Sequence, residues 1–344
     1  AWRQLRGTGY DAFCVFDADN VADPGFLREM NNAYRAGARA AQGYRDSKNP
    51  CDSPASGCSS IYYWMMDRFH NQGKAGLNLS ALLGGTGFMV SARLLEKLGG
   101  WNTRTISEDL ELTAQCVLAG ERVWWVPKAI TYDEQPLDFA QSVCQRKRWA
   151  SGTIQVARAY LGAAGRRPDR GEGLLARLDL GATLLIPAYQ AAMAVQFLCA
   201  LLTAALGCQR LVQVPAAMLG AGAASLALGA LGSTLAALLV LTVEGKWDRR
   251  LWKAVPVYWL FLLSWVAITL GSFVKQTTVW EEIRHTRSIS PQALAKQISL
   301  LEEELGGALF ERTSQGVSLT GLGEAARKKF LKIDQELHDA TEEL

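Results

Sequence analysis

Three stretches of the chain, residues 180–206, 211–243 and 254–274, contain no charged side chain. Each is long enough to cross a hydrocarbon core, which takes about 20 apolar residues. A buried helix in a water-soluble protein usually offers roughly 10–14 such residues and keeps a polar face. The pattern therefore predicts about three transmembrane helices within residues 178–275. Small residues crowd the second stretch (Gly220, Gly222, Gly229, Gly232), as expected where membrane helices pack closely. Trp252, Tyr258 and Trp259 stand near the start of the third, where aromatic rings suit the membrane interface. On either side the pattern changes. Residues 1–177 mix polar and apolar positions, and from Gln276 the chain is highly charged again.

Residues 1–165 read as an α/β domain. Residues 12–16 are a short apolar run of strand formers, followed by Asp17-Ala18-Asp19-Asn20 and then helix-like sequence from Pro24, a residue favoured in a first helical turn. Carboxylates at the end of a buried strand lie where α/β folds bind ligands. Hard divalent cations take such oxygens together with substrate phosphates, although D-x-D alone is a weak signal, since acidic turns are common and are the better explanation of it taken by itself. Gly84-Gly85-Thr86-Gly87 precedes Phe88-Met89-Val90 and permits close backbone approach to a ligand or a tight turn into a strand. In Thr105-Ile106-Ser107-Glu108-Asp109-Leu110, Ser107 suits a helix N-cap and the acids suit the helix dipole. Asp109 alternatively reads as a general base for an acceptor hydroxyl. Last comes Gln145-Arg146-Lys147-Arg148-Trp149, on a helix expected after Asp138. Gln145, Arg148 and Trp149 share one face of it, and an Arg there can bind a diphosphate bidentately. An ordinary basic juxtamembrane helix would look the same.

Charge changes the picture mainly through its placement. A net charge of +3 implies no nucleic-acid partner by itself. Arg166, Arg167, Arg170 and Arg177 precede the first apolar stretch, only Arg210 lies between first and second, and Lys246, Arg249, Arg250 and Lys253 lie between second and third. The positive-inside rule then makes the N-terminal domain and the second loop cytoplasmic. Three spans would leave the C-terminus outside, against the pull of Lys275, Arg284 and Arg287. A re-entrant third segment, or a break in the second, would remove that conflict. The seven cysteines form no C-x-x-C pair, which argues against a zinc site or a disulfide scaffold and fits a reducing compartment.

The ordered set D-x-D, G-G-T-G-F, S-E-D and Q-x-x-R-W before apolar spans resembles the family 2 glycosyltransferases. It is most similar to bacterial cellulose synthase, poly-N-acetylglucosamine synthase and hyaluronan synthase. Arg45-Asp46-Ser47-Lys48-Asn49-Pro50, Gly99-Gly100-Trp101, Asp133-Glu134-Gln135-Pro136 and the run from Trp280 to Ser288 resemble that family too. The resemblance implies a GT-A fold and an inverting, processive transfer from a UDP-sugar to a growing polysaccharide. It implies a multi-pass protein of the cytoplasmic membrane, with the catalytic domain in the cytoplasm and a helical channel for the polymer. It places Asp17, Asp19 and Arg148 on the donor diphosphate, with Asp17 and Asp19 also on Mg2+ or Mn2+. Asp109 becomes the base, and Gly85, Thr86, Glu108, Gln145 and Trp149 meet the acceptor. The family has an earlier strand and an aspartate for the nucleotide base, and further N-terminal spans, none of which precedes Ala1. The expectation is a chain without half of the donor pocket and impaired by that loss.

After a short post-membrane tail, residues 276–289, the character shifts. Residues 291–305 read as an amphipathic helix with Leu294, Ile298, Leu301 and Leu305 at helical spacing, ended by Gly306-Gly307. A hairpin over 310–320 and a second amphipathic helix follow. Residues 290–344 are similar to the DNA-binding head of LysR-type regulators, taking in recognition helix, wing and start of the linker helix. That resemblance implies Gln292, Lys296 and Gln297 in the major groove and Arg312 near phosphate. The family's first two helices are replaced by glycosyltransferase sequence, so a chimaera joined at Ser288-Ile289-Ser290 is expected. Two other readings are a membrane-tethered transcription regulator and an inactive fragment. The partners expected are a nucleotide-sugar, a polysaccharide and a lipid bilayer, and not nucleic acid.

Overall fold

A computed structural model describes residues 5, 7, 9–166, 173–205, 213–277, 291–313 and 316–342. The chain divides into two compact units, Ala1–Arg284 and His285–Leu344. In the first, strands β1 (Ala12–Val15), β2 (Val21–Ala22), β3 (Ala40–Ser47), β4 (Phe88–Ser91) and β5 (Val123–Asp133) form one sheet in the order β1-β4-β3-β5-β2. β3 and β5 run parallel and the other neighbours antiparallel. The β3–β5 register breaks at Gly43/Tyr44, opposite Val126 and Ile130. Pro127, which cannot donate to a ladder, falls in the extra loop. Gly43 is needed there because a Cβ would stand 2.3 Å from the Ala129 carbonyl oxygen.

Helices cover both faces of the sheet. α1 (Phe26–Arg35) buries Phe26 and Met30 against Ala41, Met89 and Ala129. On the other face Leu94 and Leu95 of α4 (Ala92–Lys97) and Leu112 and Cys116 of α5 (Glu108–Leu118) pack on Phe88, Val90 and Val123. α2 (Pro54–Met65), started by a Ser53–Ser56 capping box, runs through a π-helical turn (Met66–Asn71) into α3 (Gln72–Gly76). α6 (Phe139–Ala164) begins at Asp138, whose Oδ1 accepts the Gln141 N–H at 2.8 Å.

Three apolar helical segments follow, each long enough to cross a membrane: Leu174–Gln196, Ala224–Val243 and Arg249–Val274. They belong to α7 (Leu174–Ala205), α8 (Gln213–Val243) and α9 (Tyr258–Val274), the last preceded by 3-10 turns Arg249–Lys253 and Val255–Val257. α7 starts earlier than its uncharged stretch because the polar residues of its first turns find partners in the globular part. Asp179 pairs with Lys74 of α3 at 2.8 Å, and Arg177 donates to the Leu118 carbonyl at 3.3 Å. Farther along, Leu185, Tyr189, Met193, Leu198 and Leu202 of α7 and Leu228, Leu231, Leu235 and Leu239 of α8 are exposed. Such an apolar band suits lipid rather than water.

In the second unit α10 (Pro291–Leu305), the hairpin β6 (Phe310–Thr313) and β7 (Gly316–Leu319), and α11 (Gly321–Glu342) match the helix, hairpin and helix read from sequence. Gln292, Lys296 and Gln297 belong to α10 and Arg312 to β6, with side chains outside the described residues. The run from Trp280 to Ser288 and the join at Ser288-Ile289-Ser290 also lie outside them.

Candidate functional site

The D-x-D turn leaves the end of β1 and is held by the glycine loop beneath it. Thr86 is fully buried. Its Oγ1 accepts the Asp17 N–H at 3.1 Å and the Asn20 side-chain amide at 2.5 Å, while Lys48 donates to the Asp19 carbonyl. The glycine loop is fixed in turn by Gln42, a buried β3 residue. Its Nε2 donates to the carbonyls of Thr86 and Gly87 at 3.0 and 3.2 Å, and its Oε1 accepts the Gly84 N–H at 2.8 Å. Gly85 has φ +82°, and a Cβ there would lie 3.5 Å from Asp109 Oδ2. One short loop thus lies against both the D-x-D turn and Asp109, although neither Asp17 nor Asp19 lines the cavity that opens beside Asp109.

Asp109 stands in the first turn of α5. Ser107 occupies the N-cap position but its side chain makes no capping bond, so the simple cap explanation of this serine fails. Glu111 does the fixing instead. It is buried, and it accepts the Arg104 and Thr105 N–H groups at 2.8 and 2.7 Å and the Tyr160 hydroxyl at 2.9 Å. Burial alone would raise its pKa, but these donors outweigh it and leave the carboxyl below its usual range. α6 closes on the same loop: Gln155 Oε1 accepts the Ile106 N–H at 3.1 Å. Gly152 is so near that a Cβ would meet Ser107 Oγ at 1.9 Å.

Electrostatics tie the motifs together. Burial pushes Asp109 up to about 6, helped by the negative charge of Glu108 and opposed by the Leu110 N–H and Arg45. Asp17 is also raised, first by burial, with Asp133, Asp19 and Glu108 pushing further and Arg45 pulling back. Arg45 is therefore the cation at the centre of a carboxylate cluster. It bonds the Gly84 carbonyl, pairs with Asp133 and lies 4.2 Å from the Tyr63 ring centroid. Its own N–H is received by buried Asp67 at 2.9 Å. A cation beside Asp17 would offset both what raises it most, burial of its charge, and the smaller push of the neighbouring carboxylates. Among the described residues no three His, Cys, Asp or Glu side chains form a metal-holding group.

A cavity of about 490 Å³ opens beside Asp109. Its wall includes Arg45, Tyr63, Asp67, Gly84 and Trp149, then Thr183, Pro187 and Gln190 of α7 and Trp265 and Thr269 of α9. Pro187 deprives the Thr183 carbonyl of its helical donor on this wall. Trp149 is half-buried, stacked on Trp265 with centroids 6.2 Å apart and edge-on to Tyr63 at 5.9 Å. The expected face Gln145–Arg148–Trp149 is divided: Gln145 and Arg148 are half-buried but do not line this cavity. Gly85, Thr86 and Glu108 do not line it either; Gly84 takes that place. Arg146, unassigned in the sequence, is buried and donates to the Phe261 carbonyl and Ser264 hydroxyl of α9 at 3.0 and 2.6 Å. Gln42 and Glu111 carried no sequence signal. Arg45 did, as the first residue of Arg45-Asp46-Ser47-Lys48-Asn49-Pro50.

Comparison with known proteins assigns the two parts of the chain to different families. Residues 285–324 match the bacterial regulatory helix-turn-helix protein, lysR family. A probable glycosyltransferase, YdaM, of Bacillus subtilis is 36% identical over 24% of this chain and 19% of its own length. A probable glucomannan 4-beta-mannosyltransferase 14 of Arabidopsis thaliana is 26% identical over 41% of this chain and 27% of its own. A UDP-forming catalytic subunit of cellulose synthase from Dictyostelium discoideum is 20% identical over 43% of this chain and 14% of its own. The chain thus spans between 14% and 27% of the length of these relatives. Residues 12–274, most of the chain, match glycosyl transferase family group 2, and the protein belongs to that family.

Proposed function

We propose that this chain transfers a sugar, with inversion, from a UDP-sugar to the end of a polysaccharide at the cytoplasmic membrane. Asp109 is the general base. The observation that carries the proposal is the continuous cavity that runs from the Asp109 carboxyl past Trp149 to residues of α7 and α9. An acceptor sugar stacked on Trp149 would present a hydroxyl toward Asp109, and the preceding sugars would extend between the helices. Asp109 takes the proton as the hydroxyl oxygen attacks the anomeric carbon from the face opposite the leaving diphosphate, which inverts that centre. Asp17 and Asp19 would hold Mg2+ or Mn2+ against that diphosphate, a cation that offsets the charge developing on the leaving group. Arg45 keeps the surrounding carboxylates from repelling one another, and the relatives named for glucomannan and cellulose synthesis support a polysaccharide acceptor. In membrane preparations, Asp109→Asn should abolish polymer formation while leaving nucleotide-sugar binding within about threefold. Equal loss of donor binding would move Asp109 out of the base role.

A further inference from the structure

The turn between α8 and α9, residues 244–257, has one face committed to the catalytic unit. Glu244 accepts the Tyr44 hydroxyl at 2.8 Å and pairs with Arg68 at 3.4 Å. Lys246 pairs with Asp46 at 2.5 Å. Leu251, Ala254 and Val255 are buried in a cluster with Cys58, Ile61 and Trp64, and Ala254 sits so close to α2 that a Cβ on Gly57 would stand 2.6 Å from its own. The opposite face is different. Trp247 and Trp252 are 49% and 53% exposed, with ring centroids 5.9 Å apart. Arg249, Arg250 and Lys253 are exposed beside them. Both acids of this stretch are engaged, Glu244 as above and Asp248 with Arg250 at 2.7 Å, and among the described residues no ion pair is found for Arg249 or Lys253.

Two outward indoles are costly in water and favourable at headgroup depth, where an amphipathic ring meets both glycerol esters and water. Cations beside them at that depth attract anionic lipid. The turn lies where two apolar segments long enough to cross a bilayer meet, Ala224–Val243 and Arg249–Val274, so with those segments in the membrane its free face lies at the level of the headgroups. From Trp247, Arg249, Trp252 and Lys253 we infer a site for the phosphate headgroups of anionic phospholipids, with the indole pair seated at the ester level. The inference rests on the proposed placement of these helices in the membrane. It assigns to these residues a partner chemistry, phosphodiester headgroups, that the transfer reaction itself does not use. It also places a lipid contact one residue from Lys246 and so next to Asp46 and Arg45 of the catalytic strand.

The test is reconstitution of the full chain into nanodiscs of phosphatidylcholine alone or of phosphatidylcholine with phosphatidylglycerol, followed by thermal unfolding. Phosphatidylglycerol should raise Tm by about 4 °C. The Arg249→Gln/Lys253→Gln variant should keep its Tm in phosphatidylcholine and lose most of that rise. Trp247→Ala/Trp252→Ala should lower Tm in both lipids. A chain that enters phosphatidylcholine nanodiscs but shows no rise, or a glutamine variant that keeps the full rise, overturns this inference and leaves the membrane placement standing. A chain that enters neither overturns both.

Discussion

Asp109 has a carboxyl whose burial favours the protonated form, with an opposing cation a few residues away in space. For a general base the sign is direct: the ionised form works, so transfer should fall as pH drops through about 6. Arg45 lowers that value, so Arg45→Gln should move the acidic limb of the rate profile to higher pH. A merely structural Arg45 would reduce the rate at every pH and leave the limb in place. The profile of initial rates against pH between 5 and 9, measured for both proteins, distinguishes these outcomes; an unmoved limb assigns Arg45 to scaffolding. The sequence exposed Asp17, Asp19, Asp109 and Trp149 because their motifs are local and chemically distinctive. It held no sign of Gln42 or Glu111. Gln42 acts by bonding backbone groups of residues 84–87, far away in sequence, and Glu111 by tying the nearby residues 104 and 105 to the distant Tyr160, and a lone Gln or Glu in a strand or helix looks like any other.

At the scale of elements, the site depends on how closely α6 approaches the loop before α5. The Gly152–Ser107 contact has no room for a methyl group. Gly152→Ala should therefore lower stability by about 1–3 kcal/mol and displace Ser107 and Asp109, with transfer falling further than stability alone explains. Adding Ser107→Gly should restore part of the stability, and a double-mutant cycle by thermal unfolding measures the coupling. The third apolar segment raises a question that hydropathy could state but not answer. Its start packs on α2 through Tyr258. Its middle stacks on α6 through Trp265 and receives Arg146. Just past its end, Thr277 donates its N–H to Ser151 Oγ of α6 at 3.1 Å. Both ends therefore meet the catalytic unit, and we propose a re-entrant or interfacial helix, an arrangement that would remove the charge conflict at Lys275. In a cysteine-free background, Lys253→Cys and Thr277→Cys should react with a membrane-impermeant maleimide from the same side as the catalytic domain. Labelling of Thr277→Cys from the other side alone would make α9 a true span.

Across the whole molecule, two sequence families meet within one chain, residues 12–274 and 285–324, and the compact units divide between Arg284 and His285. A helix-turn-helix reads DNA when its recognition helix is held rigidly by helices packed behind it. Here the described part of the second unit has α10, one hairpin and α11 around a single well-buried apolar residue, Leu309. An apolar cavity of about 720 Å³ lined by Ile298, Leu301, Leu319 and Phe330 stays open, so α10 is weakly braced. Its C-terminal end is also acidic. Glu302 accepts the Leu309 N–H at 2.6 Å, and Glu303 and Glu304 are exposed, which opposes phosphate approach along that turn. Gln292, Lys296 and Gln297 supply only one positive charge against these. The whole chain in nanodiscs, titrated with fluorescent mixed-sequence duplex at physiological salt, should therefore bind weakly and without sequence preference. Its affinity should fall by less per decade of salt than that of a protein contacting many phosphates. Selective binding with a steep salt dependence would show instead that α10 is held well enough to read a groove, and the second unit would then be the DNA-reading part of a membrane-tethered regulator.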